Sequence, residues 1–198
     1  MKRRTKIIAA LTVVILMAGG AYYYFIQVAL PNFHTTREGV LYRSGQPRGL
    51  GLEFVKLYGI RTLINLRKPN SKGTPDEKAF AAENGLRFYN FSIGSSAGEI
   101  DEAVKRFLAI VADKSNWPVL LHCSRGTERS GVLSAIYRIE HDRWSNEDAL
   151  EETYRLGLER GHMPIPENYI KNYRPSWAAG QNTTAKSSEN LPEVPWKD

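Results

Sequence analysis

The only cysteine of this 198-residue chain, Cys123, lies in the stretch His122-Cys123-Ser124-Arg125-Gly126-Thr127-Glu128-Arg129-Ser130-Gly131. An apolar run, Pro118 to His122, precedes it and a helical pattern, Arg129 to His141, follows, so the stretch reads as a strand-to-helix loop. Such a loop turns backbone N–H groups and the positive end of a helix dipole toward one point, which suits a phosphate. Gly126 lets the backbone turn tightly and approach the anion. Arg129, six residues beyond the cysteine, folds back to clamp two phosphate oxygens with its planar fork. Cys123 at the focus of these donors is favoured as thiolate, a standing nucleophile, and Ser130 is placed to hydrogen-bond its sulfur. Ser124, Arg125, Gly126, Thr127 and Ser130 are the expected phosphate-binding positions.

These residues resemble the signature of the protein tyrosine phosphatase superfamily: His-Cys, five residues, Arg, then Ser or Thr. Leu41-Tyr42-Arg43-Ser44-Gly45-Gln46-Pro47 and Ile64-Asn65-Leu66-Arg67 look like segments of its atypical dual-specificity branch, and the resemblance runs over about residues 38 to 174. It implies a three-layer cysteine-phosphatase fold and a two-step phosphoryl transfer that uses no metal and no cofactor. Cys123 attacks phosphorus, an acid protonates the leaving oxygen, and water hydrolyses the phosphocysteine. Arg129 and the loop amides stabilise the equatorial oxygens. The implied substrate is a phosphorylated protein carrying phosphotyrosine, phosphoserine or phosphothreonine, or a small phosphorylated molecule. An inositol-phosphate or lipid phosphatase of the same superfamily is the alternative, and a module that binds phosphorylated ligands without turnover is another.

Relatives usually carry the general-acid aspartate about thirty residues before the cysteine. Here that region reads Phe91-Ser92-Ile93-Gly94, with no carboxylate. The candidates are Asp101, Glu99 and Glu102 at the start of a helix, and Glu128 within the loop, the last by resemblance to myotubularins, which carry an aspartate just before the loop arginine; the absence of any dedicated acid is the remaining alternative. Gly94-Ser95-Ser96-Ala97-Gly98 matches the G-x-S-x-G pattern of serine hydrolases, with Ser96 as nucleophile, but five permissive positions carry little weight. Arg43, Arg67 and Lys68 are either surface residues or helpers toward an anionic substrate. His34, His141 and His162 lie apart, with no partner at metal-ligand spacing, and are read as structural or exposed.

From Asn32 to about Pro175 short strand-like and longer helix-like segments alternate, which predicts an α/β domain with a central, mostly parallel sheet. Strands are expected at Val40 to Arg43, Ile60 to Arg67, Leu86 to Ile93 and Pro118 to His122. Helices are expected at Leu50 to Tyr58, Pro75 to Asn84, Glu99 to Ala112 and Arg129 to His141, and from Ser145 to about Arg160. One cysteine permits no internal disulfide, so a hydrophobic core holds the fold.

The 27 basic residues exceed the 21 acidic ones, a net charge of +6. Lys2, Arg3, Arg4 and Lys6 supply four of those charges, and the remaining chain carries a net of +2, which gives no support to a nucleic-acid partner. Residues 7–30 contain no charged side chain and read as a single membrane-spanning helix, or as a cleaved secretory signal with Ala18-Gly19-Gly20-Ala21 at the cleavage site. Both readings keep the basic end in the cytoplasm and send the domain outside it, periplasmic or extracellular. The expected organisation is an anchor or signal over residues 1–30, a phosphatase domain over 32–175 and a disordered tail over 176–198.

Overall fold

The computed structural model describes residues 2–94 and 96–178. Among the described residues, five strands form one sheet in the order β1-β2-β5-β3-β4. They are β1 (His34–Arg37), β2 (Leu41–Ser44), β3 (Thr62–Asn65), β4 (Arg87–Asn90) and β5 (Val119–His122). Only β1 runs antiparallel to its neighbour; the pairs β2–β5, β5–β3 and β3–β4 are parallel. The central strands β2, β3 and β5 are buried along their whole length, as expected of a sheet covered on both faces.

Alternate residues of those strands feed two cores. Leu41, Ile64 and Leu121 point to one face and meet α4 (Ala97–Ala112), α5 (Arg129–Asp142), α6 (Asn146–Arg155) and α7 (Pro164–Lys171) through Phe107, Ile136, Leu150 and Ile170. Tyr42, Leu63 and Leu120 point to the other, against Val55 of α2 (Leu50–Leu57) and Ala81 of α3 (Thr74–Glu83). The result is helix, sheet, helix: an α/β fold with a mixed, mostly parallel sheet.

Two elements escaped the sequence pattern. Strand β1 is polar, with one of its four residues facing inward, so it lacks the alternation that marks a strand. Helix α7 begins on Pro164 and also carries Pro166, which reads as a loop until the first turn is recognised as a place where proline costs nothing. Conversely, α6 ends at Arg155 rather than Arg160, because Gly157 takes a φ of +103° and turns the chain back toward the phosphate loop.

Helix α1 (Lys2–Tyr24) precedes the domain, and its apolar side chains from Ile7 to Met17 are exposed. Arg3–Ala29 is long and apolar enough to cross a membrane, with a mean hydropathy of 1.8. The last five residues of that span form a π-helical turn, Phe25–Ala29, that packs into the domain. Ala29 and Leu30 are buried, and Phe25 stacks edge-on to Phe54 at 5.2 Å. Domain packing therefore starts near Phe25, inside the segment assigned to the anchor. At the other end, Ser176–Ala178 forms a 3-10 turn held to α5, so packing extends past Pro175. The rest of the expected tail lies outside the described residues.

Candidate active site

The Cys123 loop leaves β5 and runs directly into α5, at the C-terminal edge of the parallel strands where α/β sites form. The Cys123 side chain is buried. Its sulfur accepts the Gly126 N–H at 3.2 Å and lies 3.5 Å from Ser130 Oγ. Gly126 has a φ of +81°, and a Cβ there would stand 2.4 Å from the Gly45 nitrogen. The loop carbonyls are tied outward to the scaffold: Ser124 O accepts the Gln46 N–H at 3.1 Å, and Arg125 O accepts Asn32 Nδ2 at 2.8 Å. Carbonyls fixed outward turn the intervening amides toward the sulfur, the arrangement an anion requires.

Arg129 is buried under the loop, where Nη1 donates to Leu66 O at 3.1 Å. Arg43, read from sequence as exposed or substrate-facing, is buried behind the loop. Its Nη2 donates to Leu156 O at 3.1 Å, while Nε and Nη1 are buried without hydrogen-bond partners. Burial pulls its guanidinium down to about 10, a shift that charges at Cys123 and Glu152 oppose. Arg67 is also buried, and it braces the scaffold by donating to Gln46 Oε1 and Lys72 O at 3.0 and 2.8 Å. Lys68 is exposed.

Behind the cysteine lies a polar network that the sequence reading missed. Glu77 of α3 is fully buried; its Oε1 pairs with His122 Nε2 at 2.6 Å, and its Oε2 accepts Asn65 Nδ2 at 2.7 Å and Gln46 Nε2 at 2.9 Å. One carboxylate thus joins β5, β3 and the segment after β2, the three pieces that frame the loop. Gln46 and Asn65 stood in the segments noted for their resemblance, but nothing near Glu77 in sequence marks it out.

A cleft of about 530 Å³ opens over the loop. It is lined by Ser124, Arg125, Thr127 and Glu128 of the loop, by Gln27, Pro31 and Asn32 before β1 and Arg48 after β2, and by Gly157, Glu159 and His162 beyond α6. Glu128 is buried and ion-paired to Arg125. Asp101 is not brought to this cleft. It sits on the α4 surface, where it accepts Tyr169 Oη at 3.1 Å and pairs with Lys105 at 2.7 Å, because the apolar stripe Ile100-Ala103-Val104-Phe107 sets the helix's rotation. Glu99 and Ser96 form a reciprocal N-terminal cap of α4, so the G-x-S-x-G match marks a helix start. Glu159 carries no signal in the sequence, and His162, structural or exposed by the sequence, is half-buried in the cleft lining. The Gly157 turn that carries both inward is a tertiary feature, packed on Thr127. Among the described residues, no group of three His, Cys, Asp or Glu is placed to hold a metal ion.

Residues 27–190 match the family model described as "Tyrosine phosphatase family". The chain is 32% identical to the tyrosine-protein phosphatase-like protein OCA2 of Saccharomyces cerevisiae, over 67% of this chain and 75% of that protein. It is 32% identical to inositol diphosphatase DSP3 of Arabidopsis thaliana, over 61% of this chain and 60% of that protein. With the dual specificity protein phosphatase TpbA of Pseudomonas aeruginosa it shares 29% identity, over 60% of this chain and 51% of that protein. The match thus spans little more than half the length of the last two. The crystal structure of TpbA superposes with a TM-score of 0.61 at 22% identity, covering 72% of this chain and 85% of that one, which supports the fold. A cysteine loop of this geometry, on this sheet, in a chain matched by the family model over most of its length places the protein in the tyrosine phosphatase family.

Proposed function

We propose that the domain is a cysteine-dependent phosphatase that hydrolyses phosphate monoesters through a phosphocysteine, outside the cytoplasm and anchored by α1. The carrying observation is the Cys123 sulfur, held 3.2 Å from the Gly126 amide and 3.5 Å from the Ser130 hydroxyl at the mouth of a helix. In the first step Cys123 Sγ forms a bond to phosphorus as the bond to the leaving oxygen breaks, and an acid gives that oxygen its proton. In the second, water attacks phosphorus, the S–P bond breaks, inorganic phosphate leaves, and Ser130 donates to the returning thiolate. Arg129 and the loop amides carry the charge of the three equatorial oxygens throughout. Glu159 on the cleft wall is the proposed acid, because Asp101 and Glu99 do not reach the cleft and the Glu128 carboxylate is taken up by Arg125.

Protein phosphotyrosine, phosphoserine and phosphothreonine fall within this reading, and TpbA bears a dual-specificity name. The relative named inositol diphosphatase supports a second reading, inositol phosphates. Replacement of the sulfur is the direct test: Cys123→Ser is expected to lower aryl phosphate turnover by at least about 10³-fold while leaving the fold intact by circular dichroism. Retained activity in that variant would overturn the mechanism.

A further inference from the structure

The cleft's membrane-proximal wall is made by the part of the chain that leaves the apolar helix. From Ile7 to Tyr24 the helix is about 27 Å long at about 1.5 Å per residue, close to a hydrocarbon core of about 30 Å, which brings the chain out near Tyr24, directly before the packed turn Phe25–Ala29. Gln27 lines the cleft, and so do Pro31 and Asn32 just beyond it.

No loose tether separates that exit point from the phosphate loop. Leu30 N–H donates to Phe25 O at 3.0 Å, Arg48 N–H donates to Ala29 O at 2.8 Å, and Gly45 N–H donates to Pro31 O at 2.6 Å. Asn32 Nδ2 then reaches the loop itself at Arg125 O. A Cβ on Gly51 would stand 1.9 Å from Ala29 O, so α2 is pressed onto the same turn. Around it Tyr24, Val28 and Leu50 leave apolar surface exposed at 45%, 39% and 63%. Apolar and aromatic side chains beside a membrane helix are accommodated at headgroup level. In that orientation the cleft stands at the bilayer surface, fixed there by packing.

The cleft also offers a second cation. Arg48 is exposed and lines the cleft together with Glu159 and His162, and among the described residues it makes no ion pair. A guanidinium so placed suits an anion next to, but distinct from, the one held by the loop.

We infer that the substrate is a phosphate monoester on the headgroup of a membrane lipid: the Cys123 loop takes the monoester and Arg48 faces the lipid's own phosphodiester. This rests on the phosphatase reading above and on α1 as the anchor. The bond broken is the headgroup P–O bond; inorganic phosphate leaves and the dephosphorylated lipid stays in the bilayer.

The test reconstitutes the full chain in phosphatidylcholine vesicles carrying phosphatidylinositol monophosphate and measures phosphate release. Parallel arms use soluble inositol bisphosphate, a phosphotyrosine peptide and an aryl phosphate. Vesicle lipid is expected to be turned over faster than the soluble inositol phosphate or the peptide. A flexible Gly/Ser spacer of about twelve residues between Tyr24 and Phe25, with a reach of about 20 Å, lifts the domain off the surface. It is expected to lower lipid turnover about tenfold while aryl phosphate turnover stays unchanged. Aryl phosphate hydrolysis without lipid hydrolysis, faster turnover of the soluble inositol phosphate or the peptide, or a lipid rate indifferent to the spacer would each overturn the lipid assignment and leave the phosphatase standing. If the spacer also abolishes aryl turnover, Arg48→Gln decides: the ratio of lipid to aryl rate should fall about fivefold, and an unchanged ratio overturns the inference. Failure of the wild-type chain on every phosphate, aryl phosphate included, would overturn the phosphatase reading itself and this substrate with it.

Discussion

Two carboxylates share the cleft with the cysteine loop, and their surroundings separate them. Glu128 is buried in the loop and occupied by Arg125, whereas Glu159 stands exposed at the cleft, brought there by the Gly157 turn. A general acid must be protonated when it acts, so its loss removes the alkaline limb of the pH–rate profile. Glu159→Gln is expected to erase that limb and to lower kcat on an alkyl phosphate by about 10²-fold, with a smaller loss on an aryl phosphate, whose leaving group needs less protonation. Asp101→Asn and Glu128→Gln should keep the limb. Its disappearance in Glu128→Gln with retention in Glu159→Gln, followed by stopped-flow phosphate release, would reverse the assignment. At this scale the proposed nucleophile was legible in the sequence, because Cys123, Gly126, Arg129 and Ser130 lie within eight residues of one another. It did not single out Glu159, the carboxylate proposed here as the acid, because that residue lies thirty-six positions downstream of the cysteine and no local spacing records its contact with the cleft.

Between elements, the phosphate loop takes its shape from β2 as much as from the strand and helix that flank it. Gly45 and Gly126 face each other so closely that a side chain on either meets backbone: a Cβ on Gly126 falls 2.5 Å from the Ser44 carbonyl carbon, and one on Gly45 falls 2.9 Å from Ser124 O. Backbone cannot swing aside as a flexible side chain does, and Gly126 additionally holds a φ of +81°. Gly126→Ala is therefore expected to push the loop off β2, costing about 1 to 3 kcal/mol in urea unfolding and about 10²-fold in aryl phosphate kcat. A variant with wild-type stability and kinetics would show that the loop tolerates displacement from β2. The sequence reading had justified Gly126 by approach to an anion. The close partner in the structure is the chain's own backbone at Gly45, eighty-one residues earlier.

Across the whole molecule, both ends of the domain are fixed by contacts that no boundary in composition announces. At the C-terminal end Glu140 of α5 accepts Tyr173 Oη at 2.6 Å, Ser176 N–H at 2.9 Å and Ser176 Oγ at 2.8 Å, and so holds the Ser176–Ala178 turn. Burial works against the charged carboxylate, but these hydrogen bonds outweigh it and hold the group below the usual glutamate range. A carboxyl lowered in the folded state contributes stability above its unfolded pKa and loses it as pH falls through the folded value. Glu140→Gln is accordingly expected to lower stability at neutral pH, by less than about 1 kcal/mol because the group is largely solvated. The difference from wild type should close in acid, below about pH 4. Thermal melts of the two proteins across that range check it, and a gap that persists at low pH would mean that the lost contact is not the charged one.

The sequence alone determined the α/β alternation, the signature loop and the apolar helix, because each is written in residues adjacent along the chain: buried runs, Gly and Pro punctuation, and a cysteine six residues from its arginine. Tertiary structure decided that Glu159 joins Glu128 at the cleft while Asp101 and Glu99 do not, that Arg43 and Arg67 are buried supports, and that Glu77 ties three segments together behind the cysteine. It also decided that the end of the apolar helix is a wall of the site. Those facts are distances between residues far apart in sequence, set by how two cores pack on opposite faces of one sheet, and periodicity along a chain carries no record of them.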